Sequence, residues 1–321
     1  MSNSIPTTKS GDSVTNTLEA PLPGAATETN ALTQPERNAK QPAQAGRRRR
    51  TSQIWHRFDA GIVIPLIIIA LLILAAIVPQ LLATQGPLDI KPAEAFQGPN
   101  VKHWLGTDES GRDVFARIIH GTRSSLLIGI LATVIGVGVA LILGSIAGLG
   151  SKAVDFGVSR FLEVLFAFPG LLLALVVITI LGPGVVTTTV AVGLSTAPGY
   201  ARLIRSQVLS VRNSGYVESA VVLGRSRWFI IRNHILPNVA APLLVLATLG
   251  VGQAIVWASS LSFLGLGATP PDPEWGSMLS AGRNYIANAW WLTVFPGLFI
   301  VISAAATTVL GHSLQRRLQN R

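Results

Sequence analysis

Six apolar runs constrain this chain more than any other feature, at residues 61–82, 124–149, 161–181, 185–201, 239–261 and 290–310. Each is close to the roughly 17 to 25 residues that a helix needs to cross a bilayer. Inside hydrocarbon every backbone N–H and C=O must find a partner within the protein, so such runs fold as helices. Only 12% of the residues are charged and 49% are hydrophobic, against about 25% charged in an ordinary soluble domain. The expected fold is all-α and polytopic, with six transmembrane helices. Residues 1–50 form a basic tail, 51–123 the first helix and an external loop, and 124–321 a core of five helices.

The net charge of +10 is explained by where the charges lie. Residues 202–232 hold Arg202, Arg205, Arg212, Arg225, Arg227 and Arg232 against the single acid Glu218, and the C-terminus carries Arg316, Arg317 and Arg321. Between the first two runs, five basic residues are balanced by Asp89, Glu94, Asp108, Glu109 and Asp113. This asymmetry follows the positive-inside rule with both termini cytoplasmic. The basic excess therefore reads as topology and lipid contact, not as a nucleic-acid surface. Residues 1–45 are rich in Thr, Asn, Pro, Ala and Gln without apolar periodicity, a composition expected to stay disordered. With no cysteine in the chain, the external loops are expected to hold their shape by packing alone.

Residues 216–238 lie between two membrane-length runs and carry most of the chain's functional signal. Helical spacing through residues 217–223 is followed by Gly224, which permits positive φ. Ser226 can cap a second helix over 227–235, which Leu236-Pro237 is expected to stop. On that second helix Trp228, Ile231 and Ile235 are expected to share one face.

Glu218, Ser219, Ala220, then Gly224, then Ile235, Leu236 and Pro237 resemble the EAA loop of ABC importer permeases. Ser219 departs from the second motif position, and His234 stands where the consensus isoleucine falls. The His-Ile-Leu-Pro-Asn ending is similar to the peptide and nickel branch. The resemblance implies a type I importer permease fold with a cytoplasmic coupling helix between helices 4 and 5. It implies that Glu218, Ser219, Ala220, Gly224, Arg225, Trp228, Ile235, Leu236 and Pro237 meet a separate ATPase. Read without the resemblance, Gly224 is a turn residue, Glu218 a helix-start acid and Trp228 an interfacial aromatic.

Gly106, Thr107, Asp108, Gly111, Arg112, Asp113 and Arg117 resemble the G-T-D-x-x-G-R-D-x-x-x-R segment of C-type subunits of dipeptide and oligopeptide permeases. Asp108 or Ser110 can cap a short helix carrying Val114, Phe115 and Ile118, expected along the outer interface. That helix either fixes the angle of the second span or touches a substrate-binding protein. Residues 262–276, with three prolines before Trp275, and Phe168-Pro169-Gly170 are also similar to this branch, so the resemblance runs from about residue 55 to the C-terminus.

None of the five lysines stands in a phosphate-cradling G-x-x-x-x-G-K-[ST] loop. The runs 166–201, 239–269 and 285–311 contain no Asp, Glu, Lys, Arg or His, whereas ion coupling needs such groups at membrane depth. Glu163, near Asp155 and Arg160, is either a paired helix-end carboxylate or a proton relay. His56, His103, His120, His234 and His312 are scattered and read as ordinary polar residues. No catalytic or metal-binding set is expected.

Energy must then come through a partner. The resemblance implies ATP and Mg on two ATPase domains, separate or fused, a homologous second permease and an external binding protein. The cargo class is a peptide or similar small solute; an ion-coupled transporter or channel is the alternative reading. Thr187, Thr188, Thr189, Ser195 and Thr196 on the fourth run and Thr248 and Gln253 on the fifth are candidates to line the pathway, or else to bond within and between helices.

Overall fold

The computed structural model describes residues 60–319, which fall within one compact unit. The N-terminal tail and its arginine cluster lie outside the described residues. Ten α-helices appear among them: α1 (Ala60–Ile77), α2 (Val114–Leu149), α3 (Lys152–Phe166), α4 (Gly170–Leu181), α5 (Val185–Arg212), α6 (Gly215–Val222), α7 (Arg227–Ile230), α8 (Leu236–Phe263), α9 (Trp275–Gly282) and α10 (Trp291–Gln319). Beyond an isolated bridge between Thr107 and Asp113 no strand is present among the described residues.

By length and composition three helices can cross a membrane: α2, α8 from Pro242 and α10 to Leu318. The pair α3 and α4 passes the same test jointly but is bent by 92°, so the third run is not one straight helix. Pro169 has no N–H to donate and disfavours helical φ/ψ at Phe168, which breaks the helix there. The first run ends early, with Pro79–Leu81 forming a separate 3-10 turn after α1. α5 is long enough to cross, but its Thr, Ser and Gly content keeps it out of the apolar set.

Another expectation is corrected at the start of α2. No separate interfacial helix exists, because Asp113, rather than Asp108 or Ser110, caps a single helix that runs unbroken from Val114 to Leu149. Its cap accepts from Ala116 N at 2.7 Å. Val114 and Ile118 are core residues, so the division drawn at 123/124 falls inside a helix.

α2 and α5 form the most intimate pair because small residues let their backbones meet. A Cβ on Gly136 would lie 2.6 Å from Thr196 Oγ1 and 2.9 Å from Gly193 O, and one on Gly193 would lie 2.8 Å from Ala132 O. Among apolar surroundings this close approach substitutes dispersion for a hydrophobic driving force. The core is layered along the bundle. Val114, Ile118, Trp275, Trp291 and Ile300 pack at one end, Ile128, Ile178, Val192 and Ala258 in the middle, and Leu162, Ile204, Val208 and Val239 at the other.

Candidate functional site

At the end defined by Leu162, Ile204 and Val208, α6 and α7 form a hairpin anchored by Val217, Ala220, Ile230 and Ile235 in the same cluster. α6 closes on a Schellman arrangement. Gly224, at φ +73, donates to Val221 O at 2.9 Å, and Arg225 N donates to Ala220 O at 3.1 Å. Ser226 then caps α7 through its hydroxyl, which accepts from Phe229 N at 3.3 Å. Between these anchors residues 221–229 are all exposed. Val222 at 82% and Trp228 at 69% form an apolar knob, with Arg225 stacked over Phe229 at 5.0 Å. These exposed apolar side chains stand on a turn whose two ends are anchored in the core.

The hairpin separates the motif residues. Glu218, Ser219, Gly224, Arg225, Trp228, Leu236 and Pro237 are exposed, while Ala220 and Ile235 are buried anchors. Two expectations fail here. Leu236-Pro237 does not stop the helix, because Ile231–Ile235 form a π turn that leads directly into α8, and Pro237 continues it without an N–H to donate. Trp228 does not share the face of Ile231 and Ile235, because the wide turn changes the periodicity and buries Ile230 with Ile235 instead. Of the six arginines in this region, three besides Arg225 are tied down. Arg205 makes a bidentate pair with Asp155 (2.5 and 2.7 Å), Arg212 donates to Gly148 O at 2.9 Å, and Arg202 sits 4.5 Å over Phe166. Glu163 pairs with Arg160 at 3.1 Å.

The segment between α1 and α2 is a closed knot. Thr107, Asp108, Arg112, Asp113 and Arg117 are buried, and Gly106 and Gly111 take φ of +80 and +73. Asp108 accepts from Arg112 Nε at 2.6 Å and from the backbone of Ser110 and Arg112, and Arg117 donates to Pro87 O at 3.1 Å. His103, at 0% exposure, lies between two carboxylates, with Nδ1 2.7 Å from Asp113 and Nε2 3.2 Å from Glu94. Lys102 hydrogen-bonds Glu94 and holds its carboxyl below the usual range. His103 is therefore a buried structural residue, and the loop is held by ionic hydrogen bonds as well as packing. Reading the histidines by their scatter along the chain missed this, because the partners stand nine and ten residues away. Trp291 of α10 donates from Nε1 to Thr107 O at 3.1 Å, which fastens the knot to the bundle.

Beside the knot, Glu274 is 1% exposed and caps α9, accepting from Gly276 N and Ser277 N at 2.8 Å each and from Ser125 of α2 at 3.4 Å. Burial pushes this carboxyl above its ordinary value. Trp275 adds an Nε1 bond to Ile118 O at 3.0 Å.

Of the pathway candidates, Thr188, Thr189, Ser195 and Thr196 are buried within the subunit. Thr189, Ser195, Thr196 and Thr248 each bond a carbonyl of their own helix, and Thr188 bonds Leu266 O at 2.8 Å. Thr248 lines an apolar crevice of about 340 Å³ with Ile69 and Ile73 of α1 and Leu310 of α10. Gln253, five residues on, is about 140° away around the helix. It is exposed and accepts from Tyr200 OH of α5 at 3.3 Å. Thr187 is half-buried.

The family described as the binding-protein-dependent transport system inner membrane component matches residues 140–321. The dipeptide transport system permease protein DppC of Alkalihalophilus pseudofirmus is 41% identical over 256 residues, covering 80% of this chain and 84% of that protein. The glutathione transport system permease protein GsiD of Pectobacterium atrosepticum is 42% identical over 222 residues, covering 69% of this chain and 74% of the relative. Among solved structures, the inward-facing MetNI methionine ABC transporter superposes with a TM-score of 0.52 at 17% identity, over 63% of this chain and 95% of that one. At that identity it speaks for the fold alone.

Proposed function

The chain belongs to the binding-protein-dependent transport system inner membrane components, the permease subunits of ATP-driven importers, and we propose that it is the C-type subunit of a peptide importer. Two of its close relatives carry dipeptides and glutathione by name, which supports a short peptide as cargo. In this reading α1, α2, the bent pair α3 and α4, α5, α8 and α10 make six passes of a bacterial inner membrane with both termini cytoplasmic. A homologous second permease completes the pathway, two ATPase domains with ATP and Mg lie beneath, and a binding protein delivers the cargo from outside.

The observation that carries the reading is the α6–α7 hairpin. Its buried side is locked into the bundle by Val217, Ala220, Ile230 and Ile235, and its exposed side offers Glu218, Gly224, Arg225 and Trp228. A rigid anchor with a protruding aromatic can receive force from a partner and pass it on, which a flexible loop cannot. The external motif acts differently: with its residues buried, it orients α2 and α10 rather than touching a binding protein. For the pathway, Gln253 with Tyr200, and Thr187, are the better-placed groups, since the other hydroxyls are already satisfied inside the subunit.

The test is reconstitution. The complex should take up labelled dipeptide only with ATP and loaded binding protein, and the ATPase should copurify with this chain. Uptake driven by an ion gradient without ATP would overturn the reading. Reporters within 212–233 and after Arg321 should lie in the cytoplasm, and reporters near Lys102 and Asp272 outside.

A further inference from the structure

The path from the exposed hairpin into the membrane contains the least regular stretch of helix in this region. Leu236 N–H donates to Ile231 O, five residues back, in a π turn. Pro237 and Pro242 follow inside α8, and neither has an N–H to give. In a regular helix those bonds would reach the carbonyls of Asn233 and Asn238. The hydrogen-bond ladder is thus interrupted three times within residues 231–242. A side-chain bond from Asn238 Nδ2 to His234 O at 2.6 Å partly compensates.

Both ends of this stretch are clamped. Before it, Ile230 is packed with Leu162, Ile204 and Val208. Beyond it, Gly252 is pressed so closely on α10 that a Cβ would lie 2.5 Å from Thr307 Oγ1, and Ile255 and Ala258 are buried. Within the stretch Ile235 and Val239 stay buried with Ile204 and Val208, while Arg232, Asn233, Leu236, Pro237, Asn238 and Ala240 are exposed, so tertiary packing supports only one face of the interrupted ladder. Helices bend where a proline or a π turn opens the ladder.

We propose that residues 231–242 are a joint of the transport cycle, with Pro242 as a positioning residue. It allows α8 to tilt against the hairpin, so that displacement of the hairpin by the ATPase becomes displacement of Gln253. The proposal rests on the coupling reading above. Gln253 lies eleven residues past Pro242, about 16 Å along the axis, so a tilt of about 20° carries it about 6 Å.

The joint can be stiffened without touching the exposed knob. Pro242→Ala restores the N–H toward Asn238 O in a strong helix former, and Pro242→Gly restores the same N–H but leaves the backbone soft. Deleting Asn233 turns the π turn into an α turn, and the residues now numbered as Ile230 and Ile235 stay on one face, four apart instead of five. In the reconstituted complex, Pro242→Ala and the deletion should keep membrane level and ATPase association and lose uptake about tenfold. Pro242→Gly should stay within about twofold of the original chain. Uptake at the original rate in Pro242→Ala overturns the joint, as does an equal loss in the Gly variant, which would assign the effect to packing of the ring.

Because the chain has no cysteine, spin labels on Leu264→Cys and on Gly215→Cys of α6, an exposed position where an added Cβ meets nothing within 4 Å, can follow the joint without altering the exposed knob. Their separation should change by several Å between the nucleotide-free and ATP-trapped states, and an unchanged separation overturns the proposal. If Gly224→Val and Trp228→Ala leave ATPase association and uptake intact, the coupling reading fails and the joint driven by the hairpin falls with it; if they abolish ATPase association while Pro242→Ala keeps uptake at the original rate, the coupling reading stands and the joint alone is overturned.

Discussion

Gly224 is where the coupling reading is most exposed to refutation, because its φ of +73 and its surroundings separate two effects. Apart from its chain neighbours, no atom of the described residues lies within 4 Å of where a Cβ would stand, so a side chain there meets no steric obstacle among them. Gly224→Val then costs only the conformational strain of a β-branched residue at positive φ, about 1 to 3 kcal/mol. That is enough to disfavour the closed turn by roughly 5- to 150-fold if the bonds to Val221 and Ala220 are lost with it. Asparagine tolerates the left-handed region, so Gly224→Asn should recover most of the turn while still adding a side chain. If the glycine serves the turn alone, uptake falls in the valine variant and survives in the asparagine variant. If the ATPase also approaches the bare backbone, both variants lose ATPase association. The assay is dipeptide uptake and ATPase stimulation by loaded binding protein in the reconstituted complex, normalised to the level of each variant in the membrane. Both activities unchanged in the valine variant would refute the reasoning.

Replacing Trp291 with alanine should destabilise the bundle by about 3 to 5 kcal/mol, and with phenylalanine by about 1 kcal/mol for the bond to Thr107; thermal unfolding in detergent separates the two. Glu274, raised by burial, binds its proton more tightly in the folded than in the unfolded state. Its contribution is therefore favourable in acid and lost as pH rises from the ordinary carboxylate value through the raised one. Glu274→Gln should flatten that dependence, and Glu274→Ala, which removes the α9 cap, should cost about 1 to 2 kcal/mol, both read from melting temperature against pH. Gln253→Cys should react with a membrane-impermeant thiol reagent in at least one nucleotide state, whereas Ile180→Cys on α4, 76% exposed to the surroundings of the bundle, should not; equal labelling would count against Gln253 as a pathway residue.

Features that depend on neighbours within about one helical turn were readable from the residues alone. The all-α fold follows from apolar runs that can satisfy their backbones only as helices. The turn at Gly224, the cap at Ser226 and the pairing of Glu163 with Arg160 are local hydrogen-bond and charge rules, and they appear in the structure as expected. What the chain meets after crossing itself was not readable. Thr107 finds Trp291 across 184 residues and Ser125 finds Glu274 across 149. Thr188, Thr189, Ser195 and Thr196, four of the hydroxyls that suggest a polar pathway, turn out to be buried within the subunit, and glycines at 136 and 193 let α2 and α5 close over Thr196. Pro237 suggested a helix end, since a proline is ordinarily a stop. The buried contacts of Ile230 and Ile235 instead hold the chain in a π turn that carries the helix past it, because burial of two side chains at one interface outweighs one missing N–H.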